Sequence, residues 1–241
     1  MLNPASPVGE VCLFIDEFTN HNDLNAGVAT ATLLTRLGYR ITAVPNAASA
    51  RTYISKGFLR KARKLIIKNI EILSPFISET RPLVGIEPSA ILGFRDEFPD
   101  LAGEEYRPEA LRLSQNTFTI EEFIAKEFSE GRIKRESFTD EDTEVLVHVY
   151  CQEKAVTTSA PVLAALGIPA NYRVREIPSG CCGMAGAFGY KRSTLTFRKR
   201  LENCSFSGGK VSISRNHYMC ASNKLPSSCK GWHGPDSHTP G

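Results

Sequence analysis

Short apolar runs alternate with amphipathic stretches along the first part of the chain. A continuous apolar run of strand length covers residues 11–15, and two further strands are predicted at 39–44 and 83–86. Such runs are typical of strands buried on both faces of a parallel sheet. Between them, apolar residues recur with helical spacing over 25–37 and 59–77. The alternation predicts an α/β fold with a parallel sheet.

The same order of elements recurs in the second half of the chain. A predicted strand over 145–150 leads to Cys151, a helix is predicted over 160–166, and a strand over 174–177 leads to the adjacent pair Cys181-Cys182. We therefore predict two duplicated parallel-sheet repeats, the second incomplete. A disordered leader, the first repeat, the second repeat and a disordered tail are expected at 1–10, 11–135, 144–190 and 191–241.

Composition narrows the functional classes. The 241 residues carry a net charge of +3, and basic and acidic residues are interleaved until about Tyr190, which is not the footprint of a nucleic-acid-binding protein. The sequence shows neither a secretory signal nor an apolar run long enough for a membrane span. We expect a cytoplasmic protein without a transmembrane segment.

Adjacent cysteines between glycines are the main candidate for chemistry. Glycines around Cys181 and Cys182 let the backbone wrap a bulky inorganic group. The alternative is a glycine-rich turn that holds two inert thiols. Seven cysteines without a secretory signal favour metal or redox chemistry over a disulfide framework. Thiol exchange through the pair ranks low, because vicinal cysteines form a strained ring.

Ligands of open α/β sheets gather beyond the carboxyl ends of the strands. Aligned by element, the two halves place Cys151 opposite Glu17 and the cysteine pair opposite the region of Ser49. His148, on an apolar strand, is interpreted as a core histidine in preference to a proton carrier. The basic residues of the helix over 59–77 are interpreted as a solvated face.

Five segments together resemble the cysteine-rich CCG-domain family of iron-sulfur oxidoreductases. This family includes the iron-sulfur protein of glycolate oxidase, a cysteine-rich component of heterodisulfide reductase and the C-terminal part of FAD-linked oxidases. The segments are Asp-Glu-Phe-Thr-Asn at 16–20, Ile-Ser-Lys-Gly at 54–57, Gly-Ile-Glu-Pro-Ser at 85–89, Cys-Gln-Glu-Lys-Ala at 151–155 and Ser-Gly-Cys-Cys-Gly-Met-Ala-Gly at 179–186. The resemblance covers about residues 10–190.

The resemblance implies an iron-sulfur cluster of the 4Fe-4S type, with Cys151, Cys181 and Cys182 as metal ligands. It implies electron transfer from a flavin that has oxidised a 2-hydroxy acid of the glycolate or lactate type. The FAD would lie on a missing domain or on a flavoprotein partner subunit. Thiolate ligands suit such clusters. No residue is assigned a catalytic role.

The chain departs from the family pattern in both repeats. In the first, the ligand positions read Glu17, Ala48-Ser49 and Ala90, so we expect a scaffold without a cluster. In the second, Tyr150 and Gln152 stand where relatives carry histidines, and the third cysteine motif is absent. Codons can be chosen for residues 221–236 that, when read one base later, encode Thr-Ser-Cys-Arg-His, which is the missing third motif. We therefore hypothesise a frameshift near codon 190.

Two functions remain open. The first is a fragment of an iron-sulfur oxidoreductase that is weakly active or inactive alone. The alternative is a non-catalytic α/β module that docks a flavoprotein partner. The start of the chain, about ten residues before the first strand, also suggests that upstream modules are missing.

Overall fold

The fold is α/β and contains two sheets, as the alternating pattern predicts. The computed structural model describes residues 3–177, residue 193 and the strand at 218–219. The first sheet has four parallel strands in the order β2-β1-β3-β4. Its strands are β1 (Gly9–Phe14), β2 (Tyr39–Thr42), β3 (Leu83–Gly85) and β4 (Thr117–Thr119).

Strand β1 lies inside the first sheet and is buried on both faces. Val11 and Leu13 belong to one core cluster, while Cys12 and Phe14 belong to the other. This two-sided burial is the physical reason for the continuous apolar run in the sequence.

Helices cover both faces of this sheet. They are α1 (Glu17–Asn22), α2 (Leu24–Arg36), α3 (Arg51–Ile54), α4 (Leu59–Leu73), α5 (Pro88–Ile91), α6 (Glu97–Leu101), α7 (Arg107–Gln115) and α8 (Ile120–Ser129), with 3-10 turns at Leu92–Phe94 and Arg135–Ser137. Helix α4 ends four residues earlier than predicted, because Pro75 cannot continue a helix. Strand β4 was missed, since three residues carry too little periodicity to stand out in a helical region.

The second sheet repeats the plan on a smaller scale. Strands β5 (Thr143–Val147) and β6 (Tyr172–Glu176) are parallel, and α9 (Cys151–Val156) and α10 (Ala160–Leu166) connect them. A short strand β7 (Tyr218–Met219) pairs antiparallel with β5. This strand falls in the segment 191–241, which was expected to be disordered. Apart from Ser193 and this strand, that segment lies outside the described residues.

The helices between β5 and β6 pack on the first sheet. Val156 contacts the cluster around Phe14, and Ile168 and Ala165 belong to the cluster around Val11. Helix α10 also packs closely against α8. The connection that carries Cys151 is therefore supported by the core of the first half.

Within the described part of the chain, no helix is long and apolar enough to cross a membrane.

Candidate functional site

Two positions predicted from the first half lie in direct contact. Glu17 begins α1 just after β1, and Ser49 lies in the loop after the neighbouring strand β2. The Ser49 backbone N–H donates to Oε2 of Glu17 at 2.8 Å, and its hydroxyl donates to Oε1 at 2.9 Å. A carboxylate and a hydroxyl thus meet at the two positions that align with Cys151 and with the cysteine pair of the second half.

The loop that carries Ser49 is held on both sides. The amide of Asn69, a fully buried residue, accepts from the Ala47 N–H and donates to the Ala48 carbonyl, both at 2.9 Å. The next residue, Ala50, has φ of 67° and is completely buried. A non-glycine residue rarely adopts this left-handed conformation. In the sequence of the second half, the residue that corresponds to Ala50 is Gly183, which directly follows the cysteine pair.

The other carboxylates at this edge act as helix caps. Asp16 accepts from the N–H groups of Phe18 and Thr19 at the start of α1, and burial raises its pKa. Glu87 accepts from the Ala90 N–H at 2.6 Å, and burial raises its pKa to about 7. These side chains stabilise the local backbone.

Cys151 occupies the position equivalent to Glu17. It is the first residue of α9, which follows β5 as α1 follows β1, and it is exposed. Cys181 and Cys182 lie outside the described residues. No group of three or more His, Cys, Asp or Glu residues suited to a metal ion occurs in the part that the structure describes.

His148 lies just after β5 and is buried. Burial, assisted by the nearby positive charge of Lys154, lowers its pKa. The imidazole is therefore kept neutral over a wider pH range than usual, which agrees with the interpretation as a core histidine.

A polar layer lies between α9 and the first half, and the sequence pattern did not reveal it. Glu121 and Glu153 are 7% and 3% exposed, and each has a buried oxygen without a hydrogen-bond partner among the described residues. Burial raises their pKa values to about 7 and about 8, and the charge of Glu121 adds to the effect on Glu153. The amino-acid sequence does not indicate that Glu121 and Glu153 are buried, because their burial arises where two segments distant in the chain pack together.

Arg51 forms a separate polar contact between the first half and α9. Its Nη1 lies 2.5 Å from Oε1 of Glu97, and its Nη2 donates to Oε1 of Gln152 at 3.3 Å. Gln152 directly follows Cys151, so the first half contacts the start of α9. A cavity of about 540 Å³ lies elsewhere, between α8 and α10, and none of the predicted site residues lines it.

Comparison with known proteins relates the chain to parts of dehydrogenases. No family model matches. The chain is similar to D-2-hydroxyglutarate dehydrogenase of Escherichia coli K12, with 26% identity over 191 residues, which is 79% of this chain and 18% of that protein. The same enzyme of Haemophilus influenzae is 26% identical over 205 residues, 80% of this chain and 19% of that protein.

A second kind of relative is a subunit of the anaerobic glycerol-3-phosphate dehydrogenase of E. coli K12. It is 22% identical over 185 residues, which is 76% of this chain and 45% of that relative. The chain thus spans less than half the length of this relative, and about a fifth of the length of the D-2-hydroxyglutarate dehydrogenases that it matches.

Proposed function

We propose that the chain is an iron-sulfur electron-transfer module of CCG type, with Cys151, Cys181 and Cys182 as cluster ligands. The observation that carries the proposal is the parallel pairing of β5 with β6, in which Val147 lies opposite Glu176. Cys151 follows Val147 by four residues and Cys181 follows Glu176 by five. Because neighbouring strands are only about 4.8 Å apart, both connections start from the same edge of the sheet.

The first half offers an internal precedent. Glu17 and Ser49 follow the neighbouring parallel strands β1 and β2, and their side chains are in contact. The cysteines hold the equivalent positions in the second half, which supports a shared pocket for them.

The donor set fits the cluster. Thiolates are the ligands that iron-sulfur clusters prefer, and the cluster, when bound, supplies one-electron transfer. The exposure of Cys151 leaves its thiol accessible to an incoming metal, while the packing of Val156 on the first core holds the helix behind it. With only three thiols at the proposed ligand positions, we expect less than one cluster per chain.

The electron donor is proposed to be a flavin that oxidises a 2-hydroxy acid, on a domain or partner subunit outside this chain. The names of the relatives support this class, since D-2-hydroxyglutarate is a 2-hydroxy acid and the second relative is one component of a dehydrogenase. Alone, the chain is then expected to be weakly active or inactive.

Anaerobic reconstitution with iron and sulfide tests the cluster. We expect iron uptake, visible absorbance and an EPR signal that fall sharply in Cys151→Ser, Cys181→Ser and Cys182→Ser. Cys204→Ser, Cys220→Ser and Cys229→Ser are matched controls, because these cysteines lie outside the family motifs. Equal loss of iron uptake in the ligand variants and in the control variants would refute the proposal, and so would the absence of iron uptake by the native sequence.

A basic surface on α4 favours the second candidate function, docking of a flavoprotein partner. Six exposed cations lie on or beside this helix, and none forms an ion pair with a described residue; they are Lys56, Arg60, Lys61, Arg63, Lys64 and Lys68. Phe58 and Leu59 are about half exposed beside them, at 54% and 47%. Such a surface fits an acidic, partly apolar partner.

Binding to a flavoprotein encoded nearby would separate this function from electron transfer. Arg60→Glu combined with Lys64→Glu should weaken binding at least tenfold, whereas Lys134→Glu combined with Arg135→Glu should not. Calorimetry at low and high salt measures the affinity of each double variant for the partner. Equal affinities for the two double variants would reject this surface as the docking site.

A further inference from the structure

Hydrogen bonds connect the thiol-free site of the first half to the neighbour of Cys151. The Ser49 hydroxyl donates to Glu17 at 2.9 Å and accepts from the Arg51 backbone N–H at 3.2 Å. The Arg51 side chain then donates to Gln152 at 3.3 Å. The connection runs from one strand-end site to the other.

Arg51 is held firmly enough to act as a support. Its ion pair with Glu97 is 2.5 Å long, and each side chain is only 18% exposed. The Nε of Arg51 is buried and has no hydrogen-bond partner among the described residues, so the guanidinium is held through Nη1 and Nη2. A guanidinium is planar and presents several donors in a fixed fork, so it can contact Glu97 and Gln152 together, which a lysine cannot do in the same way.

Helix α9 depends on such outside contacts. It has six residues, and its N-cap residue Tyr150 forms no side-chain capping hydrogen bond. Helices this short are not stable by themselves. Contacts with both halves therefore orient the helix: the Arg51–Gln152 hydrogen bond joins its first turn to the first half, and the ion pair of Lys154 with Glu176 joins it to β6.

We propose that Arg51 is a positioning residue for Cys151. The former ligand loop of the first half, without thiols of its own, supports the ligand of the second half through Arg51 and Gln152. The role assigned to Cys151 as a metal ligand rests on the proposed function, whereas the contact itself does not.

A spin label on Cys151 tests the positioning without a metal. In the full chain, Cys181, Cys182, Cys204, Cys220 and Cys229 are replaced by serine, and Cys12 is fully buried with its pKa raised to about 11. Arg51→Met should increase the mobile fraction of the EPR spectrum at least about tenfold, as expected for the loss of one charged hydrogen bond. Arg36→Met, at an exposed arginine on α2, is the matched control and should leave the spectrum unchanged.

Gln152 variants test the same contact from the other side. Gln152→Glu should immobilise the label further when Arg51 is present and have no such effect in Arg51→Met. Gln152→Leu should mimic Arg51→Met, and the double variant should add nothing more. A general loss of stability would not produce this dependence, and the Gln152 pair still decides the matter if Arg51→Met fails to fold.

The outcomes separate this inference from the proposed function. An unchanged label spectrum in Arg51→Met, or additive effects of the Arg51 and Gln152 changes, overturns the positioning role even if the native sequence takes up iron. Failure of the native sequence to take up iron overturns the proposed function, while the label still reports on the contact. Lower iron occupancy in Arg51→Met than in Arg36→Met is expected if both the positioning role and the proposed function hold.

Discussion

Ser49 donates two hydrogen bonds to the carboxylate of Glu17, and these bonds join the loop after β2 to the start of α1. Hydrogen bonds to a charged group contribute more than those between neutral groups. The pair therefore stabilises the carboxyl edge of the first sheet.

Ser49→Ala should lower the free energy of unfolding by about 1–2 kcal/mol, because the Glu17 carboxylate loses one of its two donors. Urea denaturation monitored by circular dichroism measures the change. Ser55→Ala is the control, since its exposed hydroxyl donates to the local Thr52 carbonyl and to no other residue in the described part of the chain. Equal stability of the two variants would contradict a stabilising role for the pair.

Ala50 is the second test position, because it adopts φ of 67° while fully buried. Ala50→Gly should keep the stability within about 1 kcal/mol, since relief of the left-handed strain offsets the lost methyl group and the added chain entropy. Ala50→Val should cost more than about 2 kcal/mol, because β-branched residues are strongly disfavoured there. Equal stabilities of the Ala50→Gly and Ala50→Val variants in thermal unfolding would show that the loop relaxes to accommodate the larger side chain.

Stability should fall as the pH rises from about 5 to about 8. The folded pKa values of Glu121 and Glu153, about 7 and about 8, lie above the usual value of 4.5, so the folded state holds more protons in this window. Their contribution is fully present below the unfolded pKa and is lost as the pH passes the folded one.

Urea titrations at a series of pH values measure this slope. Glu153→Gln should flatten it and make the protein more stable than the native sequence at pH 8 by at least about 1 kcal/mol. Glu136→Gln, an exposed glutamate, should leave the slope unchanged. A native slope of the opposite sign would show that the two carboxylates are not desolvated.

Gly85 marks a close approach of β3 to α5. A Cβ at this position would lie 2.5 Å from the Cβ of Ile91, which is fully buried. Gly85→Ala should therefore cost about 1–3 kcal/mol of stability. The loss should be smaller when it is measured in an Ile91→Ala background, because the Ile91 Cγ1 and Cδ1 atoms, which would lie 2.5 and 2.7 Å from the new methyl group, are then absent. Additive losses in the double variant would indicate that the clash is not the cause.

Several elements could be predicted because their signals lie within a few residues. The apolar run of β1, the helix at Ala160–Leu166 and the capping box of Thr119 with Glu122 are encoded locally. The placement of Glu17 and Ser49 at one edge also followed from the order of strands, because parallel strands share their carboxyl edge.

The sequence by itself determined the α/β class, most of the elements and the strand-end positions of the candidate residues. Only the tertiary structure decided that Glu121 and Glu153 are buried, and that Arg51 contacts Gln152, 101 residues away in the chain. Periodicity and capping are properties of neighbouring residues. The burial of a charged side chain depends on which distant surface packs over it, and here α9 packs over the first half.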